Sequence, residues 1–208
     1  RSKMISYSLA RQEYLNEAVA DVANSVYGYE MTRLEDKGNI YEINYSNEPV
    51  YTFWDLGMSD ATSIVFAIID EDEIKIIDYY ENTGHEIKHY LDIIYEKGYN
   101  YAGHYMPHDA KKRMSNTGTN ILDFCRTQYG FEARPIPKTN SVRDDIEIVR
   151  RHLPSCIINE SCTELIEHLI NYQWNPTTGK ILHNEHSHGA DAVRMLFMAK
   201  HHSMISEY

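Results

Sequence analysis

Three β-prone runs follow one another with almost nothing between them: residues 50–55, 62–70 and 73–81. The first connection runs from Gly57 to Ala61, and the second is the acidic turn Asp70-Glu71-Asp72. Connections this short join antiparallel neighbours, because a parallel crossover needs roughly a dozen residues or more. Residues 85–97 then place Ile87, Tyr90, Leu91, Ile94 and Tyr95 on one helical face, with Gly98 as the stop. A strand over 99–105 follows and is closed by Pro107. The spacing predicts helices near 117–129, 140–152, 160–172 and 188–202. Short strands are expected near 132–136 and 156–158, and a turn at 175–180.

Upstream, residues 11–26 repeat apolar side chains at helical steps, with Gly28 as a plausible stop. Residues 31–50 read as a short hairpin or extended linker turning at Lys37-Gly38-Asn39. The chain thus divides into 1–49, a helix and linker or hairpin, and 50–208, an α/β domain. Three antiparallel strands, a helix, then alternating strands and helices predict a mixed sheet with helices on both faces. That order is the one found in ribonuclease-H-like folds. The first strand is then central, and its end lies beside the strand after the first helix. Asp55 and Asp109 are expected to be neighbours in space.

Three aspartates carry the chemistry. Asp55 ends the first strand in Phe53-Trp54-Asp55-Leu56-Gly57, where an acid must be solvated, paired or bound to metal. Asp109 follows Pro107 and His108 at the rim of the sheet. Asp191 opens the last helix, with His188 and Arg194 three residues to either side on one face. Each also has an ordinary reading, as a turn starter, an N-cap or a helix first-turn acid. Together they form an oxygen-only set suited to two Mg²⁺ or Mn²⁺ ions. Asp60 reads as a turn residue or a support behind the ligands. His183, His186 and His188 admit a zinc site instead, although their spacing matches no zinc pattern.

The net charge of −11 argues against a free-standing protein with a large basic DNA footprint. Basic residues nevertheless concentrate between 111 and 151, and Lys111, Lys112, Arg113, Arg143, Arg150 and Arg151 are the candidate DNA contacts. Three cysteines without C-x-x-C spacing argue against a disulfide framework or a cysteine zinc site. No apolar run approaches a membrane span, and there is no glycine-rich phosphate loop for ATP hydrolysis.

Three segments together resemble the nuclease domain of tailed-bacteriophage large terminases: Trp54-Asp55-Leu56-Gly57-Met58-Ser59-Asp60-Ala61-Thr62, Pro107-His108-Asp109-Ala110 and His188-Gly189-Ala190-Asp191-Ala192. The resemblance covers about Tyr27 to Ala199. It implies a ribonuclease-H-like fold and metal-dependent cutting of double-stranded DNA during genome packaging. It further implies a preceding ATPase domain, and work in the host cytoplasm at the viral procapsid with a small terminase subunit and a portal protein. By the same resemblance Asp55 bridges two metals, Asp109 and Asp191 each complete one side, and His188 stands beside the last acid. A resolvase or integrase-like nuclease of the same fold, or a catalytically silent docking module of a packaging motor, are the alternatives.

Overall fold

The structure, a computed structural model, describes residues 24–57, 60–71, 73–114 and 118–205. The elements in chain order are α1 (Gly28–Asp36), β1 (Ile40–Tyr41), β2 (Val50–Asp55), β3 (Ala61–Ile69), β4 (Ile74–Thr83), α2 (Ile87–Lys97) and β5 (Tyr101–Met106). There follow a 3₁₀ turn (His108–Lys111), α3 (Ile121–Phe124), which runs on as a π-turn (Cys125–Tyr129), and β6 (Ala133–Pro135). The chain continues with α4 (Val142–His152), β7 (Ile157–Asn159), α5 (Thr163–Asn171) and α6 (Ser187–His201).

The seven strands form one sheet in the order β1-β7-β4-β3-β2-β5-β6. Antiparallel pairing is confined to β4-β3-β2, and the other neighbours are parallel. The expected meander and the mixed sheet are therefore both present, with β2 near the centre. Strand alternation sends side chains to two opposite cores. Tyr51, Phe53, Val65, Ala67 and Tyr105 pack with α4, α5 and α6. Val50, Trp54, Ile64, Phe66 and Met106 pack with Tyr90, Leu91 and Ile94 of α2. Helices thus cover both faces, which is why the central strands are buried along most of their length.

The N-terminal part departs from the sequence reading. The expected helix over 11–26 lies largely outside the described residues. Gly28 starts a helix instead of ending one, because Ser25 Oγ accepts its backbone N–H at 2.8 Å. Of the hairpin or extended linker expected over 31–50, no hairpin is formed, and residues 42–49 run without helix or strand. Most of the first half of 31–50 is the end of α1, and β1 pairs parallel with β7 at the sheet edge. Val26, Tyr27, Met31 and Leu34 are buried in the main core. Downstream, the helix expected over 117–129 begins at Ile121, capped by the Asn120 side chain on the Asp123 N–H. All three cysteines are free and buried, and burial pushes the Cys156 thiol up to about 12. Among the described residues no helix is long and apolar enough to cross a membrane.

Candidate functional site

Register places three polar residues in one row across the meander. Asp55 on β2 pairs with Ser63 on β3, and Ser63 pairs with Glu81 on β4. Directly opposite residues point to the same face. That face carries Tyr51 and Phe53, whose neighbours are the residues of α6. The first turn of α6 is tied to the middle of the row, because Ser63 Oγ donates to the His188 carbonyl at 2.8 Å. The approach is close enough to require Gly189. A Cβ there would sit 2.8 Å from both His168 Cδ2 and the Tyr79 hydroxyl.

His188 and Asp191 share a face of α6, as their three-residue spacing predicts. His188 Nδ1 lies 3.3 Å from Asp55 Oδ2. Burial pushes the Asp55 carboxyl up, and the nearby charge of Asp191 adds to it, against the pull of His188. The bond to Asp55 in turn raises the imidazole of His188, against its own burial. Asp191 is held through one oxygen: the Tyr172 hydroxyl donates to Oδ1 at 3.0 Å, and Arg194 Nε donates to the same atom at 3.2 Å. Neither bond uses Oδ2. Arg194 also reaches the buried Asp145 at its Oδ2, at 3.2 Å, so one largely enclosed guanidinium serves two aspartates.

Asp109 has partners of its own. It lies four residues beyond Tyr105, which pairs with Phe53, so Asp55 and Asp109 leave the same end of adjacent parallel strands. Their surroundings differ, however. Lys112 Nζ donates to Asp109 Oδ2 at 2.8 Å, and this bond holds the carboxyl below the usual range. Asp109 Oδ1 is closed off from solvent and makes no hydrogen bond, although His108 Nε2 approaches within 2.7 Å. The fold therefore brings Asp55, Asp191 and His188 together and sets Asp109 at the same sheet end among basic groups.

Asp60 lines a cleft of about 540 Å³ together with Glu81, His183, Asn184, Glu185 and His188. Gly57 permits the turn leading to it: a Cβ there would lie 2.3 Å from the Ala61 carbonyl oxygen. Met58 and Ser59 lie outside the described residues. The three histidines of the zinc reading have different partners. His188 meets Asp55, His186 Nδ1 is 3.1 Å from His168 Nδ1, and His183 faces the cleft.

The basic candidates also separate. Lys111, Lys112 and Arg113 are exposed beside Asp109. Arg143 is exposed but engaged, donating to the Gly179 carbonyl at 2.6 Å and lying over the Trp174 ring. Arg150 donates to the Val26 carbonyl at 3.0 Å and to Glu147 at 2.8 Å, and Arg151 donates to the Glu147 carbonyl at 3.2 Å. Arg143 and Arg150 thus fasten other chain segments to α4, and Arg151 folds back along it. Glu81 carries no local mark in the sequence. It reaches the site only through the register of β4 against β3.

A mixed sheet with a central antiparallel meander, and acids converging at one end beneath a C-terminal helix, defines a ribonuclease-H-like domain with an acidic cleft. The chain belongs to the terminase RNase H-like domain family, whose profile matches residues 52–200. Among solved structures it is similar to the large terminase of a thermophilic bacteriophage in complex with ADP (TM-score 0.62, 16% identity, 78% of this chain). It spans 42% of the length of that protein. The P22 large terminase nuclease domain is similar over 79% of this chain and 89% of its own (TM-score 0.60, 18% identity). The nuclease of the large terminase from thermophilic phage G20c, solved with bound magnesium, is similar over 85% and 96% (TM-score 0.55, 17% identity). No curated protein matches the chain in sequence.

Proposed function

We propose that this domain is a metal-dependent endonuclease that cuts double-stranded DNA, without strong sequence preference, while viral concatemers are packaged. The observation that carries the reading is that Asp55, part-buried at the end of β2, lies against His188 and within electrostatic reach of Asp191 in a terminase-family domain. Two carboxylates in a poorly solvated place repel one another and favour a cation. The donor set fits a hard divalent ion: it is all oxygen, Asp191 keeps Oδ2 outside its two bonds, and Asp109 has a shielded oxygen without a hydrogen bond. The magnesium in the G20c nuclease supports the same choice.

Asp55, Asp191 and Asp109 would hold two Mg²⁺ or Mn²⁺ ions. Such ions supply an activated water and stabilisation of the leaving 3′ oxygen. The protein's own groups do the rest. Tyr172 and Arg194 fix the rotamer of Asp191, and Ser63 fixes the height of His188 above the strand row. The His188 imidazole can steady a phosphate oxygen or pass a proton. Lys111, Lys112 and Arg113 offer phosphate contacts beside Asp109. Asp60 lies on the cleft wall as a support near His188, whose imidazole its charge helps to raise. With few phosphates neutralised, binding by the domain alone is weak. An ATPase domain, a small terminase subunit and a portal protein are the partners this reading requires, at the procapsid in the host cytoplasm.

The test is cleavage of supercoiled plasmid with Mg²⁺, Mn²⁺ or EDTA, by the wild type and by Asp55→Asn. Cutting is expected with either ion and is lost in EDTA and in the variant. Robust cutting in EDTA would overturn the reading.

A further inference from the structure

On the β4 side of the cleft, Glu81, Glu164 and His168 each offer a ligand atom, and all three atoms lie within 4.8 Å of one another. Glu164 and His168 are one turn apart on α5, so their side chains emerge on one face. Glu81 comes to meet them from β4, steadied by the Tyr79 hydroxyl, which donates to its Oε2 at 2.6 Å.

His168 is the decisive member. Its side chain is only 7% exposed, and its Nε2 is buried with no hydrogen-bond partner. Glu81 Oε2 stands 3.7 Å away, too far for a hydrogen bond. Either tautomer leaves this nitrogen unsatisfied. With a proton, it is a buried donor without an acceptor, which costs about 1–3 kcal/mol. Without one, its lone pair faces two carboxylates. A cation at that point satisfies all three groups at once.

The neighbouring histidine offers His168 a partner for its other nitrogen. His168 Nδ1 and His186 Nδ1 are 3.1 Å apart, so one of them donates. Glu185, largely exposed, stands 3.8 Å from His186 Nε2, which is also too far for a hydrogen bond. With His168 Nδ1 as the donor, His168 Nε2 carries the lone pair and is free to ligate. A ligating histidine that donates through its other nitrogen is the usual arrangement behind a metal. Burial, helped by His186 and His188, lowers the His168 imidazole to about 4, so it is neutral near pH 7.

We propose that Glu81, Glu164 and His168 form a second metal site for a divalent ion of the zinc class, separate from the ions at Asp55 and Asp191. One imidazole and two carboxylates, with the remaining position open, suit Zn²⁺, Co²⁺ or Mn²⁺ better than Mg²⁺. At a tetrahedral ion with bonds of about 2.0–2.2 Å the ligand atoms stand about 3.3–3.6 Å apart, so a pair separated by as much as 4.8 Å must close by about an ångström. Glu164 is exposed and free to close that gap. The ion would cross-link α5 to β4 at the cleft wall, whether or not the domain cuts DNA.

The test uses the full 208-residue chain carrying Asp55→Asn and Asp191→Asn, so that the other ions do not contribute. Zn²⁺ binding is measured by calorimetry, and Co²⁺ is used for its visible spectrum. One ion per chain is expected. Glu164→Gln, an exposed change that cannot upset packing, should weaken binding at least about tenfold, as should His168→Gln. Unchanged affinity in Glu164→Gln overturns the proposal. So does loss of the ion in His183→Ala with retention in Glu164→Gln, which would put the metal on the histidine loop instead.

Discussion

Ser63 Oγ donates a 2.8 Å hydrogen bond to the backbone carbonyl of His188, which pins the first turn of α6 to the strand residue that separates Asp55 from Glu81. Ser63→Ala should therefore cost little stability, about 1 kcal/mol for one lost hydrogen bond. Cleavage should fall by more, on the order of tenfold, because His188 and Asp191 lose their fixed height above Asp55. Urea denaturation and plasmid nicking, run on the same preparation, separate the two effects. Equal activity with reduced stability would limit Ser63 to holding the fold.

Asp55→Asn and Asp191→Asn should both abolish cleavage, but with opposite effects on stability. Asp55 is enclosed next to another carboxylate, and burial has already raised its carboxyl, so neutralising it relieves repulsion. Asp191 is different. Its charge is paired with Arg194, and removing it leaves that guanidinium shared with Asp145 alone. Melting curves should rank Asp55→Asn above the wild type and Asp191→Asn below it. Arg194→Gln should be worse than either, by about 3–5 kcal/mol, because two enclosed carboxylates lose their cation together.

His188→Ala should slow cleavage roughly 10- to 100-fold without abolishing it, as for groups that support a metal site. The bond to Asp55 raises its imidazole, so the charged form persists to higher pH than in a free histidine. The variant should accordingly lose part of the pH dependence of the rate. Unchanged kinetics from pH 6 to 9 would remove His188 from the chemistry.

His104 gives a pH effect on stability away from the site. It is buried on β5, its Nδ1 is 2.8 Å from the Thr52 hydroxyl, and burial lowers its imidazole from the ordinary 6.5 to about 4. Between those values the unfolded chain binds a proton that the folded chain does not, so stability falls as pH drops. One such histidine removes about 2 kcal/mol at pH 5 and about 3 kcal/mol once pH is below 4. Enclosed acids with raised carboxyls, such as Asp55, oppose this trend, so the comparison must be with His104→Gln. The wild type should lose more stability than the variant between pH 7.5 and 5.0 in urea titrations. Parallel losses would mean that His104 is protonated in the folded state.

The central sheet was legible because its signals are local. Alternation in 50–81 and the short acidic turn leave no choice but a meander, and Gly98 and Pro107 close the helix and strand that follow. The N-terminal region was harder to read. The start of α1 at Gly28 depends on Ser25, and the parallel pairing of β1 with β7 joins residues more than a hundred positions apart. The same limit applies to the site. Asp55, His188 and Asp191 sit at element ends, where a carboxylate or imidazole stands out from an apolar pattern. Glu81 and His168 lie inside ordinary elements and acquire partners only through cross-strand register and helix packing. The arginines near α4 likewise acquire partners through the fold. Charge alone suggests a surface for phosphates, and the fold adds bonds from Arg143 and Arg150 to backbone carbonyls.

Tyr172 occupies a mechanically exposed place. Its backbone carbonyl accepts the Val26 N–H at 2.8 Å, and its hydroxyl holds Asp191. Trp174 N–H bonds the Asn24 carbonyl at 2.8 Å in the same short ladder. A displacement of the 24–26 segment would therefore carry with it the residue whose hydroxyl holds Asp191 Oδ1. One aromatic residue thus joins the edge of the described chain to an acid of the site.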